Sequence, residues 1–303
     1  EVYKKNDCQG IIAFGGGSPM DCAKGVGARA VRPEKSISQL KGQFKVRKKL
    51  PPIFAVPTTA GTGSEATVAA VITDSQSHEK YAIIDLNLIP HYAVLDPLIT
   101  LKMPPSITAA TGMDALTHAV EAYIGRSNTA ETKKFSIDAV RLIYDNLYEA
   151  YQNGVNLTAR ANMQKAAYLA GLAFTRAYVG NVHAIAHTLG GFYSVPHGLA
   201  NAVILPYVLE HYGEAVWDPL AELAVAARIG NASDSAEENA KNFILSIKSL
   251  NSRMGIPSKV SGIQDSDIPI MAERALKEAN PLYPVPKIFS RDEMLRLYQL
   301  IKD

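Results

Sequence analysis

The sequence predicts an α/β domain built on a parallel sheet, followed by an all-helical domain, and three observations carry that reading. Over the first hundred residues, short apolar runs alternate with helical patterns, the order that builds a parallel sheet. After "KMPPS" (Lys102 to Ser106) helical periodicity takes over and strand signals become scarce. The Pro104-Pro105 pair between them suits a first helical turn and halts what precedes it, which sets the boundary at 1–103 and 104–303.

Taken in order, "GIIAFGGGS" reads as a buried strand entering a glycine turn, with a helix from about Met20 to Ala30. "PPIFAVPTTAGTGSE" repeats the arrangement, an apolar strand and then a loop of small residues. "YAIIDLNLIP" and "HYAVLDP" supply two further strands. Beyond the boundary, helices are expected over 108–124, 129–151, 158–177, 181–191, 198–212, 218–229, 234–254 and 291–301. Glu1 opens the chain without Met and inside a charged helical pattern ("EVYKKNDCQG"), so an upstream segment of the first domain is expected.

Composition narrows the function classes. The 303 residues carry a net charge of +2 with acids and bases interspersed, which argues against nucleic acid as a partner. The basic run Lys41 to Lys49 reads as a solvated loop. No apolar run approaches the roughly 20 residues that span a bilayer. Cys8 and Cys22 are too few to staple a fold, which suits a reducing, cytoplasmic compartment.

Two loops are candidates for holding a nucleotide. "GGGSPMD" (Gly15 to Asp21) follows a strand and opens a helix, where backbone N–H groups and the helix dipole favour a phosphate. It lacks the usual dinucleotide spacing, since the third glycine would have to replace Met20, and a plain tight turn is the alternative. "PTTAGTGSEAT" (Pro57 to Thr67) sets five hydroxyls in eleven residues at the end of a second strand, as a ligand at the carboxyl edge of a parallel sheet requires.

The helical half carries the chemistry. In "TGMDALTHAVEAY", Asp114 and His118 stand four apart on one face of an apolar helix. In "GNVHAIAHTLGGFYSVPHGLANAV", three of the seven histidines, His183, His187 and His197, fall within fifteen residues. A buried carboxylate is costly unless it is paired or binds a metal. One carboxylate and several imidazoles on apolar helices suit a divalent transition metal, with a hydrogen-bonded core as the alternative.

At these residues the chain resembles the iron-containing (group III) alcohol dehydrogenases. "GGGSPMDCAK", "PTTAGTGSEAT", "GMDALTHAVEAY" and "VHAIAHTLGGFYSVPHGLANAVILP" look like that family's signature segments, in order, and the likeness runs from Gly10 to "NPLYPVPKIFSRDEML". The resemblance implies a metal held by Asp114, His118, His183 and His197, with His187 beside it as a non-ligand that passes the proton outward. It implies NAD or NADP, with Gly16, Gly17 and Ser18 at the pyrophosphate, Thr58 and Thr59 near the adenosine half, and Thr67 and Lys80 toward the nicotinamide; a surface lysine ahead of a strand is the other reading of Lys80.

The reaction implied is hydride transfer between a primary alcohol or aldehyde and the nicotinamide. Four protein ligands with an open position favour Fe²⁺, with Zn²⁺ as the alternative. A homodimer is expected from the family. Glycerol-dehydrogenase-like and dehydroquinate-synthase-like enzymes share the plan but resemble three-ligand sites; an inactive metal-binding relative is the remaining alternative. Arg176, Tyr178 and Asn181 depart from many relatives and either shape the substrate pocket or face solvent and neighbouring helices.

Overall fold

The computed structural model describes residues 1–73 and 80–303. A short helix α1 (Val2–Lys5) precedes strand β1 (Ile11–Gly15) and helix α2 (Gly17–Val31). The strands β2 (Gly42–Gln43), β3 (Ile53–Pro57), β4 (Ala69–Thr73), β5 (Lys80–Ile84) and β6 (Tyr92–Ala93) follow. β1, β3 and β6 form a parallel sheet in that order, with Ile11 beside Ile53 and Phe54 beside Tyr92. Both β1 and β3 therefore end at the same edge, and the glycine loop and the hydroxyl-rich loop emerge there together.

Two details differ from the sequence reading. β2, β5 and β4 make a second small sheet, in which β4 runs antiparallel to β5. β1 is buried on one face only: α2 packs over Ala13, Ile53 and Ala55, whereas Ile12 and Phe14 on the opposite face are 74% and 61% exposed. A continuous apolar run signals two covered faces, but among the described residues no element lies over the second. Phe54 and Tyr92 stack on each other there, with ring centroids 4.7 Å apart.

The helical half comprises α3 (Pro105–Ile124), α4 (Ala130–Gln152), α5 (Leu157–Ala177), α6 (Asn181–Tyr193), α7 (His197–Tyr212), α8 (Trp217–Ala226), α9 (Ala236–Arg253), α10 (Ile268–Ala279) and α11 (Arg291–Ile301). Eight of these match the expected helices to within three residues at each end; α10 was not anticipated. α3 is the axis of the core, buried on every side from Gly112 to Ile124 and packed against α4, α5 and α7. A helix apolar all round is one that other helices enclose, and this one carries Asp114 and His118 into the interior.

The two halves meet along α5. Gly63 takes φ +60° and approaches Gly171 so closely that a Cβ on it would stand 2.8 Å from the Gly171 Cα. One turn further along α5, the Thr175 hydroxyl accepts the Val68 N–H at 2.9 Å. The loop after β3 is thereby held against the helical half, with its polar groups turned toward the cleft.

Candidate metal centre and cofactor cleft

Asp114 and His118 come from α3, His183 from α6, and His197 from the first turn of α7. One donor atom from each lies within 4.8 Å of all the others. Asp114 Oδ1 is 3.9 Å from His183 Nε2 and 3.6 Å from His197 Nε2. Donors bonded to one ion at ~2.1 Å each stand about 3–4 Å apart, so the set needs only a small contraction to coordinate one ion.

The electrostatics agree with that spacing. Burial holds all three imidazoles below their ordinary range: His118 is lowered, His183 lies well below it, and His197 falls to about 3. Neutral rings offer the lone pairs that metal binding requires. In His183 and His197 the ring nitrogen that faces the Asp114 carboxylate is Nε2. Lone pairs gathered out of water around one carboxylate leave a place that a cation satisfies. The residues present fit a divalent metal.

Two residues that the sequence reading passed over complete this arrangement. Glu121, fully buried on α3, sits with Oε2 at 2.6 Å from His183 Nδ1, while its Oε1 accepts the Val182 N–H at 2.8 Å. Asn201, one turn beyond His197, donates through Nδ2 to Asp114 Oδ1 at 2.7 Å and lies 3.1 and 3.2 Å from the Nε2 atoms of His183 and His197. With Nε2 of His183 accepting from that amide, its ring proton sits on Nδ1 and is directed to Glu121. Burial pushes the Glu121 carboxyl up to about 8, against hydrogen bonds from the Gly180, Val182 and His183 backbone that favour its charged form. Glu121 stands three residues after His118 in an apolar helix, and that spacing was the signal available in the sequence.

His187 lies beside the quartet, its ring stacked on that of His197 with centroids 5.2 Å apart. Its Nδ1 is 2.6 Å from Glu278 Oε1 on α10, and the same oxygen accepts the Tyr283 hydroxyl at 2.7 Å. The other ring nitrogen, Nε2, is left for whatever enters the cavity.

That cavity, of about 450 Å³, is lined by the quartet together with His187, Gly17, Ser18, Thr67 and Lys80. Gly16, Thr58 and Thr59 do not line it. Gly16 caps α2 with the Thr59 hydroxyl 3.3 Å from where its Cβ would be, and the Thr58 N–H is bonded to Gly15 O at 2.9 Å. Thr58 and Thr59 thus form the floor on which Gly16 and the rest of the glycine loop sit. Burial lowers the Lys80 ammonium, which stands in the field of Asp114, Asp21 and Glu278. Of Arg176, Tyr178 and Asn181, Tyr178 lines the cavity. Arg176 faces outward in an ion pair with Glu131, and Asn181 is buried against the Tyr212 hydroxyl.

Part of the hydroxyl-rich loop has an internal task. Ser64 donates to Asp21 Oδ1 at 2.8 Å, and the Thr67 hydroxyl accepts from Lys24 Nζ at 3.0 Å. Lys24, fully buried, also donates to the carbonyls of Thr67 and Ala69. A buried ammonium requires such partners, and the loop provides them while turning its backbone toward the cleft.

A family model described as iron-containing alcohol dehydrogenase matches residues 1–97, and that for the Fe-containing alcohol dehydrogenase family, C-terminal, matches 108–301. The chain belongs to the iron-containing alcohol dehydrogenases. It is 44% identical over 284 residues to a 1,3-propanediol dehydrogenase of Citrobacter freundii, covering 92% of this chain and 73% of that protein. It is 36% identical over 310 residues to an NADPH-dependent butanol dehydrogenase of Clostridium saccharobutylicum, covering 99% and 78%. The solved alcohol dehydrogenase of Oenococcus oeni superposes with a TM-score of 0.94 at 39% identity, covering 99% of this chain and 78% of that one. Among the described residues, no helix of this alcohol dehydrogenase is long and apolar enough to cross a membrane.

Proposed function

We propose that this alcohol dehydrogenase interconverts a primary alcohol and its aldehyde with NAD(P), using a divalent ion held by Asp114, His118, His183 and His197. The observation that carries the reading is the convergence of four donors from three helices within 4.8 Å, in the cavity that also holds the glycine loop. When bound, the ion supplies Lewis acidity toward the substrate oxygen and the nicotinamide exchanges the hydride. Four protein donors with a position left open favour Fe²⁺, with Zn²⁺ as the alternative.

The chain's own residues do the rest. Glu121 and Asn201 fix the tautomer and aim of His183 and hold the Asp114 carboxylate in place. His187, anchored through Nδ1 by Glu278, is the group that takes the alcohol proton at Nε2 in oxidation and returns it in reduction. The N-terminal turn of α2, with Gly16, Gly17 and Ser18, receives the pyrophosphate over the floor formed by Thr58 and Thr59. Thr67 and Lys80 border the nicotinamide half. The 1–103 part thus holds the cofactor and the 104–303 part the ion.

Both cysteines are exposed and unpaired, which fits the cytoplasm, and a homodimer is the assembly we expect. The test is anaerobic purification, metal analysis, and NADH and NADPH oxidation over a panel of short aldehydes. About one metal per chain, with turnover abolished by a chelator and restored by Fe²⁺ or Zn²⁺, is the expected result. Bound metal without turnover on any aldehyde defeats the reading.

A further inference from the structure

A second cleft, of about 730 Å³, opens beside His187. Lys41 and Lys80 line it from the α/β half, and Arg274 and Lys277 from α10. Among the described residues that line it, the one acid, Glu278, is already bonded to His187 and Tyr283. Lys80, Arg274 and Lys277 bring three cations to one cleft in a chain whose net charge is only +2. Among the described residues, neither Arg274 nor Lys277 has a carboxylate within ion-pair distance. The Arg274 guanidinium lies 4.9 Å above the Phe192 ring, which orients it without neutralising it.

The cleft is continuous with the metal cavity, because Lys80, Ala82, Ile84, His187 and Tyr283 line both. Gly17 and Ser18 line only the metal cavity and Arg274 and Lys277 only this cleft, so these two cations stand apart from the helix turn that suits a pyrophosphate. Resting on the dehydrogenase reading above, we infer that the substrate is an alcohol or aldehyde carrying an anionic group at its far end, recognised in this cleft by Arg274 and Lys277. Arg274 and Glu278 are four residues apart on α10, about 6 Å along its axis. With Glu278 holding His187, this puts the cation one turn along α10 from the anchor of the acid–base histidine. The anionic group takes no part in the redox step: the aldehyde carbon gains the hydride, its oxygen gains a proton, and NAD(P)H is oxidised. Its contribution is attraction into the site and orientation within it.

The experiment compares succinic semialdehyde with butanal, which has the same four-carbon length and no charge, as substrates of the metal-loaded protein and of an R274A/K277A variant. At least tenfold higher kcat/KM for the semialdehyde is expected, with that ratio falling at least tenfold in the variant. Equal or better use of butanal overturns the inference while leaving the dehydrogenase reading intact, as does a variant that keeps the ratio. A readout without turnover is succinate binding by calorimetry, expected to weaken at least tenfold in the variant. Succinate that binds without any preference for the semialdehyde marks a cleft for a free anion and overturns the inference too. If neither aldehyde turns over, the dehydrogenase reading fails, and the inference, which rests on it, fails with it.

Discussion

Glu121 Oε2 and His183 Nδ1 lie 2.6 Å apart with both side chains out of water, which fixes the imidazole so that Nε2 faces Asp114. A carboxylate behind a liganding histidine sets its tautomer and raises its basicity, and loss of such a partner typically costs about 10–100-fold in metal affinity. Glu121→Gln is expected to weaken metal binding within that range, read by competition with a chelator, while the helical circular dichroism stays unchanged. Unaltered affinity removes Glu121 from the site.

His187 touches the quartet but does not complete it. His187→Ala is expected to lower kcat by about 10²–10⁴, the usual yield of a positioned acid–base group, while metal analysis still returns the wild-type content per chain. Loss of the metal would instead make His187 a ligand. Glu278→Gln, which leaves the ring but alters its anchor, should give a smaller loss and shift the pH profile of kcat.

Gly198, next to His197, lies where α7 crosses α3. A Cβ there would stand 2.3 Å from the Ala110 carbonyl and 3.3 Å from the Asp114 Cβ. The contact is with backbone, so it cannot be relieved by a rotamer change. Gly198→Ala should destabilise by about 1–3 kcal/mol, as overpacking does, lowering the denaturation midpoint and loosening the metal together. A variant that keeps both has moved the helices apart at no cost and refutes the crossing argument.

Glu65 is buried in the loop against α5, and burial raises its carboxyl from 4.5 to about 7. Because the folded value exceeds the unfolded one, the native state binds the proton more tightly. That advantage is full below about pH 4.5 and is lost as pH rises to about 7. The shift corresponds to about 3 kcal/mol. Glu65→Gln, which cannot ionise, should therefore match the wild type near pH 4 and exceed it in stability at pH 8. Urea titrations at the two pH values decide this; a variant weaker at pH 8 shows that the charged form is the one the fold accommodates.

Legibility in the sequence followed how local each signal was. Asp114 with His118, and His183 with His187, are single-turn pairs on apolar helices, and their place in the interior follows from the apolar residues around them. Helix α10 has an equally regular face in Ile268, Met271, Ala272, Ala275 and Ala279, but three of those five are alanines, which mark a buried face weakly. Asn201 looked like one polar residue in an apolar helix; its role depends on Asp114, 87 residues earlier in the chain. Strand β4 was not among the expected strands, and its antiparallel pairing with β5 is set by the partner rather than by the run of residues itself.

Helix α10 carries Glu278, which holds His187, and one turn earlier Arg274, which borders the cationic cleft. Substrate choice and the speed of the proton step are thus mounted on the same rod. Any sequence change that tilts or slides α10 to admit a new substrate also moves the anchor of the acid–base histidine. Laboratory evolution toward new alcohols is then expected to meet a trade-off on this helix. Its escape route is exchange of the Arg274 and Lys277 side chains with the backbone of α10 left where it is.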